Sequence, residues 1–211
     1  MSQDKVSAVV TSFDSPRFNK LVDRIKTAHE LTFYLKQPLP VGLFEELKRV
    51  SAREAHFPIE VIVEDFQDVK YLRKLHAAGF SLFYGLGLPT ESVVFLDSNR
   101  GFLLESDRVD SRSSLRELRN SEELYFKLLW RRFGNAVALS GLMKERDAEA
   151  RLICLAGEDG DELWCRHKEE LILQMPRIGA KIEVFAWEKW NSHILEILDL
   201  NVIEPGAGMA Q

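Results

Sequence analysis

Apolar runs alternate with helical spacings over the first hundred residues. SAVVTSF (7–13) predicts a strand, and Asp14 or Ser15 followed by Pro16 predicts a helix start, proline being favoured in the first turn. Phe18, Leu21, Val22 and Ile25 then fall at three- and four-residue spacing, one apolar face. ELTFYLK (30–36) reads as a strand, and VGLFEELKRVSARE as a helix burying Leu43, Phe44 and Leu47. IEVIVED (59–65) is β-branched and continuous, the texture of a strand covered on both faces. FQDVKYLRKLHAAG predicts a helix closing on Gly79, which suits a left-handed cap, and FSLFYGLG predicts the next strand. Two further strands, 91–97 and 100–106, are separated by so short a bend that they must form an antiparallel hairpin. Strands alternating with helices imply right-handed crossovers and a largely parallel sheet with helices on both faces, an α/β domain over residues 1–107.

Beyond residue 107 the texture changes. DRVDSRSSLRELRNS is polar and reads as a loop or a solvated helix. Ser121 with Glu122 and Glu123 marks a helix N-terminus, and ELYFKLLWRRF (123–133) is apolar around most of its circumference. That predicts a buried helix in a linker of residues 108–135, wedged between two domains or placed in a dimer interface, and stopped by Gly134–Asn135. From Ala136 the pattern is alternating: AVALSGLMK, ARLICLA, ELWCRH, AKIEVFAW and SHILEILDLNVIE are short strands, with KEELILQM (168–175) as a helix between the third and fourth. That order is the one found in small OB-like barrels, which predicts an all-β barrel over 136–204 followed by a flexible tail, 205–211. Asp159–Gly160 predicts a two-residue hairpin turn that sets Cys154 directly opposite Cys165. In a reducing compartment the pair reads as two small core hydrophobes.

Charge divides the chain. Residues 1–135 balance at +1 and residues 136–211 at −6, within a total of −5. Barrels of this type bind single strands by stacking bases on aromatic rings, and Trp164, Phe185, Trp187 and Trp190 are the candidates. An acidic barrel repels phosphate, so these aromatics read first as core and rim. The two cysteines and five scattered histidines give no metal-ligand spacing, and no cofactor is expected. No apolar run approaches the roughly 18 residues of a membrane span, and the N-terminus lacks a secretory pattern, so the expected location is cytoplasmic.

The order of the first part carries a resemblance. IKTAHELTFYLKQPLPVGLFEELKRVSAREAHFPIEVIVED and YLRKLHAAGFSLFYG resemble the opening of a phospholipase D superfamily domain. Over PTESVVFLDSNRGFLLES the family's His-x-Lys-x4-Asp signature would place Thr90 at the histidine, Ser92 at the lysine and Asp97 at the aspartate, with Leu104 and Glu105 replacing a Gly-Ser pair. The resemblance implies a phosphodiesterase frame without its chemistry. Threonine supplies no nucleophilic imidazole, and serine supplies no cation for the phosphoryl oxygens. His76 and His56 are not spaced to take over, so no catalytic residue is expected. The expectation is therefore a catalytically inactive, binding or assembly subunit, paired as a homodimer as one-motif family members are. Two alternatives stand beside it. One is a nucleic-acid-associated protein, either a single-strand binder or a nuclease accessory. The other is a small-molecule sensor whose vacated pocket is lined by Thr90, Ser92, Asp97, Gly85 and Gly87.

Overall fold

The computed structural model describes residues 16–53, 57–64, 68–86, 91–98, 100–106, 113–120, 122, 132–157, 159–169, 171 and 175–206. The strand expected at 7–13 and most of the helix expected at 123–133 lie outside these residues. Contacts divide the chain into two units, Met1–Ile59 with Pro89–Leu128, and Glu60–Leu88 with Leu129–Gln211.

In the first unit, Pro16 opens α1 (Pro16–Ile25), whose Leu21 and Ile25 are fully buried. The second helix, α2 (Val41–Arg53), buries Leu43, Phe44 and Leu47, one stripe at the expected spacing. The strands are β1 (Leu31–Leu35), β4 (Ser92–Leu96), β5 (Arg100–Ser106) and β6 (Ser113–Glu117). They lie in the order β1-β4-β5-β6, and every neighbouring pair is antiparallel. This overturns the largely parallel, phospholipase D-like α/β fold. All five residues of β1 and all five of β4 are buried, yet the two strands run antiparallel, Phe33 opposite Val94. A continuous apolar run reports burial on both faces; it does not report strand direction.

Strand β6 was expected to be a loop or a solvated helix. SSLRE carries no apolar alternation and becomes a strand by pairing with β5, while Leu118 packs beneath it on Gly101, whose missing side chain leaves the room. Helical geometry resumes at Asn120. There the Glu122 carboxylate accepts the Arg119 N–H at 2.8 Å and grips Arg116 at 2.9 and 3.1 Å, which holds it down at about pKa 2. The acid at the third helical position thus reaches back to the residue before the helix, one half of a capping box.

The second unit contains β2 (Ile59–Val63, from its second residue), α3 (Val69–Ala77) and β3 (Ser81–Gly85). Strands β2 and β3 are parallel, joined by the α3 crossover. Asp68 caps α3 by accepting the Tyr71 N–H at 3.0 Å. The helix ends on Gly79 at φ +85°, where Phe80 N–H donates to Leu75 O and Gly79 N–H to His76 O, the paired bonds of a Schellman motif.

The remaining strands of this unit are β7 (Arg132–Asp147), β8 (Leu152–Ala156), β9 (Glu162–Arg166), β10 (Lys181–Lys189) and β11 (Leu195–Glu204). Arg132 and Phe133 were expected to finish a helix, with Gly134–Asn135 as its stop. They instead begin β7, because a Cβ at Gly134 would collide with the Glu188 carbonyl of β10; the glycine permits a close strand approach. Strand β7 pairs with β10 through residues 134–142 and with β8 through 142–147, slipping at Lys144. At the change of partner, a Cβ on Gly141 would lie 2.6 Å from the Ala156 carbonyl. The circuit runs β7-β8-β9-β11-β10 and closes on β7, with β9–β11 the single parallel contact in it. A five-stranded closed barrel in this order has OB topology. Its interior is apolar: Ile153, Leu155, Cys165, Ile182, Val184 and Ile197 are among the buried residues.

The hairpin register differs from expectation by one residue. Ile153 faces Cys165 and Cys154 faces Trp164. Gly157 N–H donates to Asp161 O at 2.9 Å, Gly160 N–H donates to Gly157 O, and Gly160 sits at φ +85°. The loop is therefore a three-residue turn with a glycine bulge, one residue longer than an Asp-Gly turn of two.

Candidate nucleic-acid interface

Strand parity sorts the barrel's side chains. Along β8, Ile153 and Leu155 point inward, so Leu152, Cys154 and Ala156 lie on the outer face. Along β9, Cys165 points inward, so Glu162, Trp164 and Arg166 lie outside. The register pairs them as Leu152 with Arg166, Cys154 with Trp164, and Ala156 with Glu162. Trp164 is half-buried, while Glu162 and Arg166 are exposed. The indole thus stands between two small neighbours, across from a thiol and diagonal to an alanine.

Two loops meet this face at one end. Loop 148–151 leads into β8 at Leu152, and loop 190–194 leads into β11 at Leu195. Leu195 pairs with Cys165, and Leu152 pairs with Arg166, so both loops and the end of β9 gather at the same edge. His167 N–H donates to Arg151 O at 3.0 Å and ties the first loop to β9. Arg151 itself stands at φ +56°, a left-handed position, with its guanidinium 3.8 Å from the exposed Glu169. In the second loop, Trp190 is 63% exposed, and its N–H is anchored on Phe133 O at 3.0 Å. Ser192 fixes the rest by accepting the Ile194 N–H and donating to the Ile194 carbonyl. Arg166 is exposed on the same outward row as the indole and makes no ion pair among the described residues.

The outer face of β10 and β11 is covered instead. Arg73 on α3 reaches Glu183 at 3.0 Å and Asp199 at 2.7 Å, and lies 5.5 Å above the Phe185 ring. His76 meets the same ring edge-on, and Tyr84 of β3 lies 5.8 Å from Trp187. Phe185 and Trp187 are consequently buried, 1% and 6% exposed, and of the four candidate aromatics only Trp164 and Trp190 reach the surface.

The thiols are inert. Burial pushes Cys165 up to about 12, and burial, helped by Glu162 and Glu145, raises Cys154. Neither is a thiolate near neutral pH, so neither is a nucleophile. Among the described residues no group of three or more His, Cys, Asp or Glu is arranged to hold a metal ion, and no helix is long and apolar enough to cross a membrane.

The candidate pocket of the first unit has a different character. Thr90 and Gly87 lie outside the described residues. Ser92 is 2% exposed, and its Oγ accepts the Lys36 N–H at 3.1 Å. Asp97 stands at φ +51° in the β4–β5 turn and accepts the N–H groups of His29 at 2.6 Å and Glu30 at 3.1 Å. Its own N–H donates to Glu30 O, and Ser98 Oγ donates to the Glu30 carboxylate at 2.5 Å. These bonds tie the hairpin turn to the approach of β1, and in the described bonds the side chains of Ser92 and Asp97 both accept from backbone N–H groups. Gly85 belongs to the second unit, where it ends β3 opposite Arg132.

Arg166, Arg151 and Lys144 were missed from sequence. Once 152–166 is taken as a hairpin, period-two alternation alone places Arg166 beside Trp164, so the signal was present for that residue. Arg151 is placed by its loop and Lys144 by a bulge, and neither has a sequence signature.

No family model and no curated protein matches this chain. Among solved structures, the mitochondrial single-stranded DNA-binding protein Rim1 from S. cerevisiae aligns over 36% of this chain and 99% of its own, at 16% identity and a TM-score of 0.30. Similarity at that level carries no argument, and the fold assignment rests on the strand order and pairing of the barrel.

Proposed function

We propose that this chain is a nucleic-acid-associated protein whose barrel holds a single strand on the outer face of β8–β9, between loops 148–151 and 190–194. One observation carries the reading: the barrel has OB topology, its β10–β11 face is covered by α3 and β3, and on the β8–β9 face Glu162 and Arg166 are exposed on either side of the half-buried Trp164. Strands two and three of such barrels, with the loops flanking them, are the usual oligonucleotide surface. A base stacked on an exposed ring contributes about 1–3 kcal/mol, and every base has a face to stack, so recognition there is tolerant of sequence. Arg166 adds a planar fork suited to phosphate or to a base plane.

The charge balance of −6 over 136–211 does not describe this face. Glu183 and Asp199 are taken by Arg73, Glu196 by Lys189 at 2.7 Å, and Glu188 accepts from Asn135. Several acids are thus neutralised or placed on the covered side. What remains is a face of mixed sign, which favours stacking over phosphate attraction and gives a shallow salt dependence, with a slope of about −2 or less in magnitude at −0.7 per phosphate.

The test is fluorescence anisotropy with labelled oligo-dT of about 20 nucleotides at low salt, alongside the matching duplex. Quenching of tryptophan emission and retention of the single strand in preference to the duplex are expected. No retention of the single strand at the lowest salt, with the protein folded by circular dichroism, removes the reading.

A further inference from the structure

The Lys144–Glu162 ion pair occupies the open face beside Trp164. Lys144 stands at the bulge where β7 slips against β8, just after the buried Met143, and its ammonium meets the Glu162 carboxylate at 2.8 Å. Glu162 is two residues from Trp164 on the same outward row and opposite Ala156. Cys154, directly across from Trp164 on β9 and opposite Glu145 on β7, is buried, and the register sets Glu145 and Trp164 on either side of it. Both members of the pair are about half exposed, at 51% and 54%. Glu162 keeps the ammonium charged above the usual lysine range, so the cation is present but engaged.

We infer that Glu162 is an internal competitor for phosphate: it holds Lys144 in the free protein, and a bound strand must displace it to reach that cation. The inference rests on the single-strand reading above and names the residue that sets affinity at that site. An exposed pair of this kind is weak, so a phosphate can exchange with the carboxylate rather than be excluded by it. The competitor therefore lowers affinity and flattens the salt dependence without closing the face. Two properties follow. Lys144 contributes little while Glu162 is present, and it contributes fully once Glu162 is neutral.

A double-mutant cycle separates this from a general charge effect. Oligo-dT affinity is measured by anisotropy for the natural chain, Glu162→Gln, Lys144→Gln and the double variant, across a salt series. Thermal melts confirm that each of these surface changes leaves the protein folded. Glu162→Gln is expected to bind about 3- to 10-fold tighter at low salt, with the slope steepened by about 0.7, one further phosphate on a single strand. Lys144→Gln changes affinity less than about twofold in the natural background, yet removes most of the gain when Glu162 is already Gln. If Lys144→Gln weakens binding equally in both backgrounds, or Glu162→Gln binds no tighter than a natural chain that does bind, the competitor is overturned and the single-strand reading stands. If neither the natural chain nor Glu162→Gln binds at all, both fall.

Discussion

The two outer faces of the barrel are made by the same alternation and have opposite fates. On β10 the outward residues are Glu183, Phe185 and Trp187; on β9 they are Glu162, Trp164 and Arg166. Each row thus holds aromatic and charged groups, and a count of residue types does not tell them apart. What separates them is the cover. Arg73 neutralises Glu183 and Asp199 while lying on Phe185, so α3 brings both an apolar contact and the counter-charge the row needs. No described element does this for β9, whose acid is answered by Lys144 from within the barrel and whose arginine stays unpaired among the described residues. An aromatic on a barrel exterior is core or contact surface according to whether a neighbouring element supplies its complement.

Truncating an aromatic on each face should therefore damage different properties. Phe185→Ala is expected to cost about 3–5 kcal/mol of stability, the usual range for deleting a buried ring, and to be read as a large fall in the denaturant midpoint. Trp164→Ala, which deletes a half-buried ring, should cost distinctly less stability than Phe185→Ala. Its effect should appear instead as a roughly 5- to 100-fold loss of oligo-dT affinity, the equivalent of about 1–3 kcal/mol of stacking. A Trp164→Ala variant that unfolds as readily as Phe185→Ala would show that the β8–β9 face is a packed surface too, and would remove the distinction.

A backbone test comes next in size. Gly141 lets β7 turn from β10 to β8, and a methyl there would lie 2.6 Å from the Ala156 carbonyl, which is backbone and cannot swing away. Gly141→Ala is expected to lower stability by about 1–3 kcal/mol, measured by urea unfolding. Gly160, at φ +85° with open space around it, should cost only about 1 kcal/mol on conversion to alanine, from the left-handed conformation alone. Equal losses at the two positions would mean that the close approach at Gly141 does not govern the barrel's closure.

The barrel was far more legible in the sequence than the first unit. Its five strands announce themselves by alternation, because each has one face inside and one outside; the order with a connection between the third and fourth then suffices for the topology. The β4–β5 hairpin and the Gly79 stop were equally plain, since short connections and left-handed glycines have few structural alternatives. Direction and register were not legible. IEVIV in β2 and SVVFL in β4 look alike, since β4 is buried throughout and β2 at every position but Glu60, yet one runs parallel to its neighbour and the other antiparallel. Gly134 looked like a helix stop although it serves a strand crossing, and one extra loop residue before Asp161 shifted Cys154 from Cys165 to Trp164. The candidate site suffered from the same blind spot. Trp164 was recognisable as a candidate, but both it and Trp187 lie on outward rows, and which of them is covered depended on where α3 and β3 packed, a property of the assembled second unit.

The smallest effect expected concerns the counter-charge on the covered face. The Arg73 guanidinium, helped by Asn201, holds the Glu183 carboxyl below its usual range in the folded state. A carboxylate with a depressed folded pKa contributes stability that is present above its unfolded value near 4.5 and is lost as the pH falls through the lower folded value. Stability should therefore decline on acidification below about pH 4.5, and Arg73→Met should flatten that part of the decline while lowering stability at pH 7. Because Glu183 and Asp199 are about one-third exposed, water screens the pair, and the loss at pH 7 should be about 1 kcal/mol or less. Methionine keeps apolar contact with Phe185, so the change removes charge more than packing. Urea midpoints of both proteins from pH 3 to 7 would test it. Parallel curves would mean that Arg73 covers this face by shape alone, and the contrast with β9 would then rest on packing rather than on charge.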